Sequence, residues 1–134
     1  MKDAPDGSVW VQNVDVVVNV PTPSGPATEV AAGGVGRYSG TSTSYQTVVS
    51  WTVTAAKLGE LKEITILSSS YSKTVLQVTV GSVVFATNWT VLAAMPLIFE
   101  DLKLAAGAIV KVEAKSSDGT SVTVDAVITA KEIG

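Results

Sequence analysis

The chain has 134 residues, a net charge of −3 and neither cysteine nor histidine. Disulfides, thiolate zinc centres, cysteine nucleophiles and every imidazole-based acid, base or ligand are therefore excluded. Nine basic residues, with Arg37 the single arginine, do not make a phosphate-reading surface, so no nucleic-acid partner is expected.

The N-terminus, Met1 to Gly7, carries acids and a proline where a signal peptide needs an apolar core, so synthesis in the cytoplasm is the expectation. Ser8 to Val20 is the first predicted strand. Val9 and Val11 alternate, and then Val14, Val16, Val18 and Val20 alternate in the opposite parity, with a bulge or turn at Gln12-Asn13. Pro21 and Pro23 end it, because neither can donate to a ladder. Four of the five prolines and six of the eleven glycines lie before residue 45. Gly33 to Ser44 accordingly reads as a linker or extended surface segment. The expected organisation is an extended N-terminal arm with a Gly/Pro-rich linker over 1–45 and a β-sandwich body over 46–134.

The body reads as short strands at regular intervals. They are Thr47 to Thr54, Leu61 to Ser69, Thr74 to Val80, Val83 to Thr87, Asn88 to Leu92, Leu97 to Phe99, Ile109 to Lys115 and Ser121 to Lys131. Val, Thr, Ile and Tyr dominate their interiors, as half-buried pleated surfaces favour. Gly81-Ser82 predicts a turn, and Asp118-Gly119 predicts a hairpin between the two closing strands, since a primed turn needs residues that tolerate positive φ. Ala55 to Leu58 and Leu92 to Met95 are short helical pieces at most. Some eight antiparallel strands without a substantial helix predict an all-β, antiparallel β-sandwich, jelly-roll-like in preference to an immunoglobulin-like Greek key. No run approaches the ~20 apolar residues of a membrane-spanning helix, so no membrane partner is expected.

Little in the side-chain inventory suits catalysis. Glu100-Asp101 is the sole adjacent acidic pair. Strand neighbours point to opposite faces, so the two carboxylates would not converge on one bond, and an edge-blocking charge is the expected role. Asp118 lacks the alternate acids of a calcium loop. No histidine can activate a serine, and Ser72-Lys73 and Lys115-Ser116 point apart in strands. Gly33-Gly34-Val35-Gly36 has neither a following strand–helix unit nor the closing Lys-Ser/Thr of a phosphate loop. No enzyme, cofactor or metal site is predicted.

The aromatic residues are the candidates for recognition. Trp51 and Phe85 lie in apolar strands and are expected in the core. Tyr38, Tyr45 and Tyr71 sit in polar surroundings and are candidates for surface recognition, a sugar platform included. Trp10 belongs to the arm, whose valines face both ways and expect cover on both sides. Such a strand either pairs with an edge strand of its own body or adds to a neighbouring subunit by β-augmentation; the second is the favoured expectation and makes Trp10, Val14, Val16, Val18 and Val20 the predicted interface residues and the chain a homo-oligomer.

The body pattern, from Thr41-Ser42-Thr43-Ser44-Tyr45-Gln46-Thr47-Val48-Val49-Ser50-Trp51-Thr52-Val53 through Leu61-Lys62-Glu63-Ile64-Thr65-Ile66 to Ser116-Ser117-Asp118-Gly119-Thr120-Ser121-Val122-Thr123-Val124, resembles small jelly-roll virion proteins of tailed bacteriophages. Among these it is most similar to head decoration, or capsid cement, proteins. The likeness covers about ninety residues and is one of pattern rather than motif. It implies a trimer on the capsid exterior that grips the major capsid protein and stabilises the shell without catalysis. The alternative is a carbohydrate- or receptor-binding sandwich of a phage tail.

Overall fold

Alternating Val, Ile and Thr with few helix-favouring runs leave this chain one economical way to bury its apolar half, which is to stack two sheets face to face. The computed structural model describes residues 28–134 and shows that arrangement. Eight strands follow in order: β1 (Glu29–Gly40), β2 (Gln46–Thr52), β3 (Leu58–Ser68), β4 (Thr74–Val80), β5 (Val83–Thr90), β6 (Met95–Leu104), β7 (Ile109–Ser116) and β8 (Val122–Ile133). Sheet 1 has the order β1-β8-β3-β6 and sheet 2 the order β2-β7-β4-β5. Every pairing is antiparallel. Successive strands change sheet at each connection except β4 to β5, which is the jelly-roll path.

The core lies between the sheets. Leu61, Ile64 and Ile66 of β3 and Val122, Val124 and Ile128 of β8 meet Leu76 and Val78 of β4 and Val110 and Val112 of β7, all fully buried. These residues follow the alternation seen in the sequence, because one face of each antiparallel sheet must be dry. Trp51 is buried with them, as expected. Thr74 and Ser116 are the buried hydroxyls; Thr74 Oγ1 donates to the Ser70 carbonyl at 2.8 Å, and Ser116 Oγ accepts the Gly119 N–H at 3.0 Å.

Four expectations are corrected. First, Gly33 to Gly40 is not linker. It belongs to β1, which pairs with β8 over its whole length, from Glu29 opposite Ile133 to Gly40 opposite Val122. The body therefore takes in residues that the sequence placed before its boundary at 46. The glycines serve close approach rather than disorder: a Cβ on Gly36 would lie 2.0 Å from the Val48 carbonyl oxygen. Only a residue without a side chain lets the edge of sheet 1 settle on the edge of sheet 2 here.

Second, Asp118-Gly119 forms a turn but not a hairpin. Gly119 has φ +88°, and Asp118 Oδ1 accepts the Thr120 N–H at 3.0 Å. The strands it joins lie in different sheets, β7 between β2 and β4 and β8 between β1 and β3. Local turn chemistry does not choose a strand's partner; burial of each apolar strand in a sheet centre does. The one hairpin between consecutive described strands is β4–β5, through Gly81-Ser82.

Third, Val83 to Thr87 and Asn88 to Leu92 are not two strands. Val83 to Thr90 is a single edge strand carrying two bulges, with Asn88 at φ +56°. Fourth, Phe85 is half exposed rather than in the core. The register passes from Val78 opposite Ala86 to Thr79 opposite Val84, so Phe85 is the extra residue of a bulge and is turned out of the ladder. The helical pieces at Ala55–Leu58 and Leu92–Met95 are turns and strand ends, and a single 3₁₀ turn occupies Tyr71–Lys73.

The predicted arm strand, with Trp10, Val14, Val16, Val18 and Val20, lies outside the described residues.

Candidate interaction surfaces

A pattern of alternating side chains makes two faces per sheet. On sheet 2 the outward row Ser50–Lys111–Thr79 ends on exposed Val84, exposed Ile109 stands in a neighbouring row, and the pair Glu113–Gln77 is polar, with Gln77 Nε2 donating to Glu113 Oε1 at 3.0 Å. On sheet 1 the row Val35–Val127–Thr65–Pro96 crosses all four strands. Val35 is 78% exposed, and Ile98, a row away, is 60% exposed. Opposed residues of neighbouring strands share a face, so Val35, Val127 and Pro96 form a narrow apolar band interrupted by Thr65, whose hydroxyl donates at 3.0 Å to Glu63 in the next row, the row that Ile98 shares with Glu63 and Thr129.

Charged groups flank that band. Arg37 and Asp125 make a two-pronged ion pair, at 2.6 and 3.1 Å, on one side. On the other, Glu60 is nearly buried between Lys103 at 2.8 Å and Lys131 at 3.5 Å, and Lys131 also reaches Glu29 at 3.0 Å. The hydrogen bond from Lys103 holds the Glu60 carboxyl below its ordinary range, and Arg37 does the same for Asp125. These pairs tie β1, β8, β3 and β6 across the sheet and leave the apolar band between them open.

A second apolar surface lies where the two outermost strands, β5 of sheet 2 and β6 of sheet 1, run along one side of the sandwich. Val83, Val84, Phe85 and Trp89 of β5, Leu92 of the connecting loop, and Ile98 and Leu102 of β6 are all exposed. Phe85 meets Phe99 edge to face across the gap, ring centroids 5.6 Å apart. Both strands are bulged here. In β6, Phe99, Glu100 and Asp101 all stand opposite Lys62, with Glu100 at φ +49° and Asp101 at φ +67°. Asp101 is hydrogen-bonded to Lys62, which lowers its pKa. Glu100-Asp101 thus occupies an edge strand, where bulges and charge interrupt regular pairing.

The three tyrosines lie at one end of the sandwich, where the β1–β2, β3–β4 and β7–β8 connections meet. Tyr38 is near the end of β1, Tyr45 just precedes β2, and Tyr71 is in the 3₁₀ turn before β4. Each is half-buried, and Tyr38 and Tyr71 pack against the core. The Tyr38 hydroxyl accepts the Ser42 N–H at 3.0 Å. The Tyr45 hydroxyl accepts the Asn88 N–H at 2.8 Å and faces the Leu76 carbonyl at 3.2 Å, while Lys115 Nζ lies 4.5 Å from its ring centroid. Tyr45 is therefore a brace for the β5 bulge. Around these rings, Thr41, Thr43, Ser44, Ser72, Ser117 and Thr120 leave an exposed, hydroxyl-rich rim.

Among the described residues no group of three or more acidic side chains is placed to hold a metal ion, and no helix is long and apolar enough to cross a membrane. A shallow cleft between Gly81-Ser82 and Ala105–Ile109 is lined by backbone and alanine, with Ser82 its one polar side chain. The bulges that expose Phe85 and position Asp101 had no sequence signal beyond the Asn88 and Glu100-Asp101 positions themselves.

No family model, no curated protein and no solved structure matches this chain.

Proposed function

We propose that the chain is a non-enzymatic virion structural protein, a head decoration protein of a tailed bacteriophage that binds the major capsid protein on the capsid exterior and stabilises the shell as a trimer. The observation that carries this reading is the outer face of sheet 1, where Val35, Val127 and Pro96 form an exposed apolar band framed by ion pairs. A flat sheet face of this kind suits adhesion to another protein surface, with area and rim charges setting the fit. The jelly-roll path and the resemblance of the body pattern to such virion proteins agree with it.

The test is binding to heads. Full-length protein mixed with expanded heads of the phage that encodes it should co-sediment, saturate at a fixed number of copies per capsomer and raise the temperature at which the heads open. Val35→Asp should weaken that binding while leaving the isolated protein folded, because Val35 is an outward residue. Heads that neither retain the protein nor gain stability would sink the proposal.

A second reading has its own observation. Tyr38, Tyr45 and Tyr71 gather at one hydroxyl-rich end, as a glycan- or receptor-binding tail module would place them. Their hydroxyl and core contacts leave less free ring area than a stacking platform uses. Glycan-array binding that is lost on Tyr71→Ala would favour this reading.

A further inference from the structure

Four strands form the edges of the sandwich, β1 and β6 in sheet 1 and β2 and β5 in sheet 2. Proteins guard such edges with charge, proline or cover. β1 carries Glu29 and Arg37, and β6 carries Pro96, Glu100, Asp101 and Lys103. β2 is uncharged, but β1 lies against it at Gly36. β5 has no charge and no proline, and no described strand runs along its outer edge. From Thr74 to Phe99 the chain holds no charged residue. The bulges of β5 do not shield it either, because one of them turns Phe85 outward.

We infer that the β5 side of the sandwich is where a second copy of this chain docks, side to side about a symmetry axis. Area and charge select that occupant. Val83, Val84, Phe85, Trp89 and Leu92 are each 44–75% exposed. Together they leave roughly 500 Å² of apolar surface along one strand and its loop, the size at which a patch marks an interaction site. A standard interface buries ~800 Å² per partner, a little over half of it apolar, or about 450 Å². The β5 side alone thus carries the apolar area of a whole subunit contact.

Near a symmetry axis every residue meets its own copies, so each charge there faces the same charge. An uncharged side escapes that repulsion. The outer face of sheet 1 does not, with Arg37, Asp125, Glu60, Lys103 and Lys131 along its apolar band. Where charge resumes on β6, Asp101 and Lys103 are already paired within the chain, with Lys62 and Glu60. Phe85, set edge to face on Phe99 at 5.6 Å, gives each copy an aromatic anchor already held in place. A copy docked on this edge leaves the outer face of sheet 1 open, so copies can meet here whether or not they decorate a shell.

The absence of cysteine makes the test direct. Val84→Cys, Thr87→Cys and Leu92→Cys are made singly in the full-length chain, with Val35→Cys on the sheet 1 face as control. Each protein is oxidised and run without reductant. At least one β5-side cysteine should give several-fold more disulfide-linked dimer than Val35→Cys. Light scattering of the unmodified chain should give a mass of two or more times 13.8 kDa. Phe85→Asp and Leu92→Asp should each fall to 13.8 kDa with strand circular dichroism intact. Leu92 lies in an exposed loop, so its variant decides the matter if Phe85→Asp does not fold. A monomeric unmodified chain, an oligomer that a folded Asp variant leaves intact, or cross-linking no stronger than at Val35 would each overturn the inference. These measurements use the purified protein alone, so head binding can fail while self-association stands, and the reverse.

Discussion

The indole N–H of Trp51, on β2 of sheet 2, donates to Oε2 of Glu132, on β8 of sheet 1, at 3.2 Å. The same carboxylate oxygen accepts the Thr54 backbone N–H at 2.9 Å. One side chain thus pins the end of β2 and the turn after it to the opposite sheet, while the indole ring itself is buried in the core. A buried indole needs an acceptor for its single polar atom, and an ionised carboxylate is a strong one.

That contact predicts an acid-sensitive latch. The Thr54 N–H, with smaller help from Trp51 and Lys57, lowers the Glu132 pKa below its ordinary 4.5. A carboxylate with a depressed folded-state pKa contributes stability that is complete above the unfolded value and fades as pH falls through the folded one. Glu132→Gln keeps an acceptor but cannot titrate, so its melting temperature should fall less than wild type's between pH 5 and pH 3. Glu132→Ala should melt lower than wild type at pH 7. Thermal melts followed by circular dichroism check both, and parallel acid limbs for wild type and Glu132→Gln would refute the latch.

Gly36 should not tolerate a methyl group. The added Cβ would fall 2.0 Å from the Val48 carbonyl oxygen and 2.9 Å from the Val49 Cβ, and backbone cannot rotate aside as a flexible side chain can. Gly36→Ala should destabilise the protein by roughly 1–3 kcal/mol, the usual range for forced overpacking, measured by urea unfolding. A stabilising or neutral result would mean that β1 does not lie on β2 as described.

Ile64 and Leu92 should behave as opposites. Ile64 is fully buried between the sheets, whereas Leu92 is 75% exposed. Ile64→Ala should lower unfolding free energy by about 2–5 kcal/mol, through lost transfer energy and a residual cavity. Leu92→Ala should fall within about 0.5 kcal/mol of wild type when measured at concentrations where the chain is monomeric.

Tyr45→Phe isolates the brace on β5. The ring and its contact with Lys115 remain, while the acceptor for the Asn88 N–H disappears. The expected loss is about 1 kcal/mol, with faster amide hydrogen exchange concentrated near Asn88. Unchanged exchange there would show that the hydroxyl does not hold the bulge.

The sequence alone was enough for the all-β class, the two-layer sandwich and most strand positions, because alternation with a period of two reports directly which face of a strand is dry. Thr74 to Val80 is read without error, and Trp51 is placed in the core for the same reason. Turn chemistry was legible too, at Gly81-Ser82 and Asp118-Gly119, since positive φ needs particular residues wherever the chain goes next. What only the tertiary structure decided was who pairs with whom. Asp118-Gly119 joins two sheets rather than two neighbours. Gly33 to Gly40, composed like a linker, is a strand, in which Gly36 answers the nearness of Val48 in the other sheet and Gly33 that of Ile128 on the neighbouring strand. Phe85 is apolar by composition and exposed by a bulge that the register of β4 and β5 sets. The outer apolar band depends in the same way on Val35, Val127 and Pro96 being brought into one row. Each of these rests on contacts between residues far apart in the chain, and local periodicity carries no information about them.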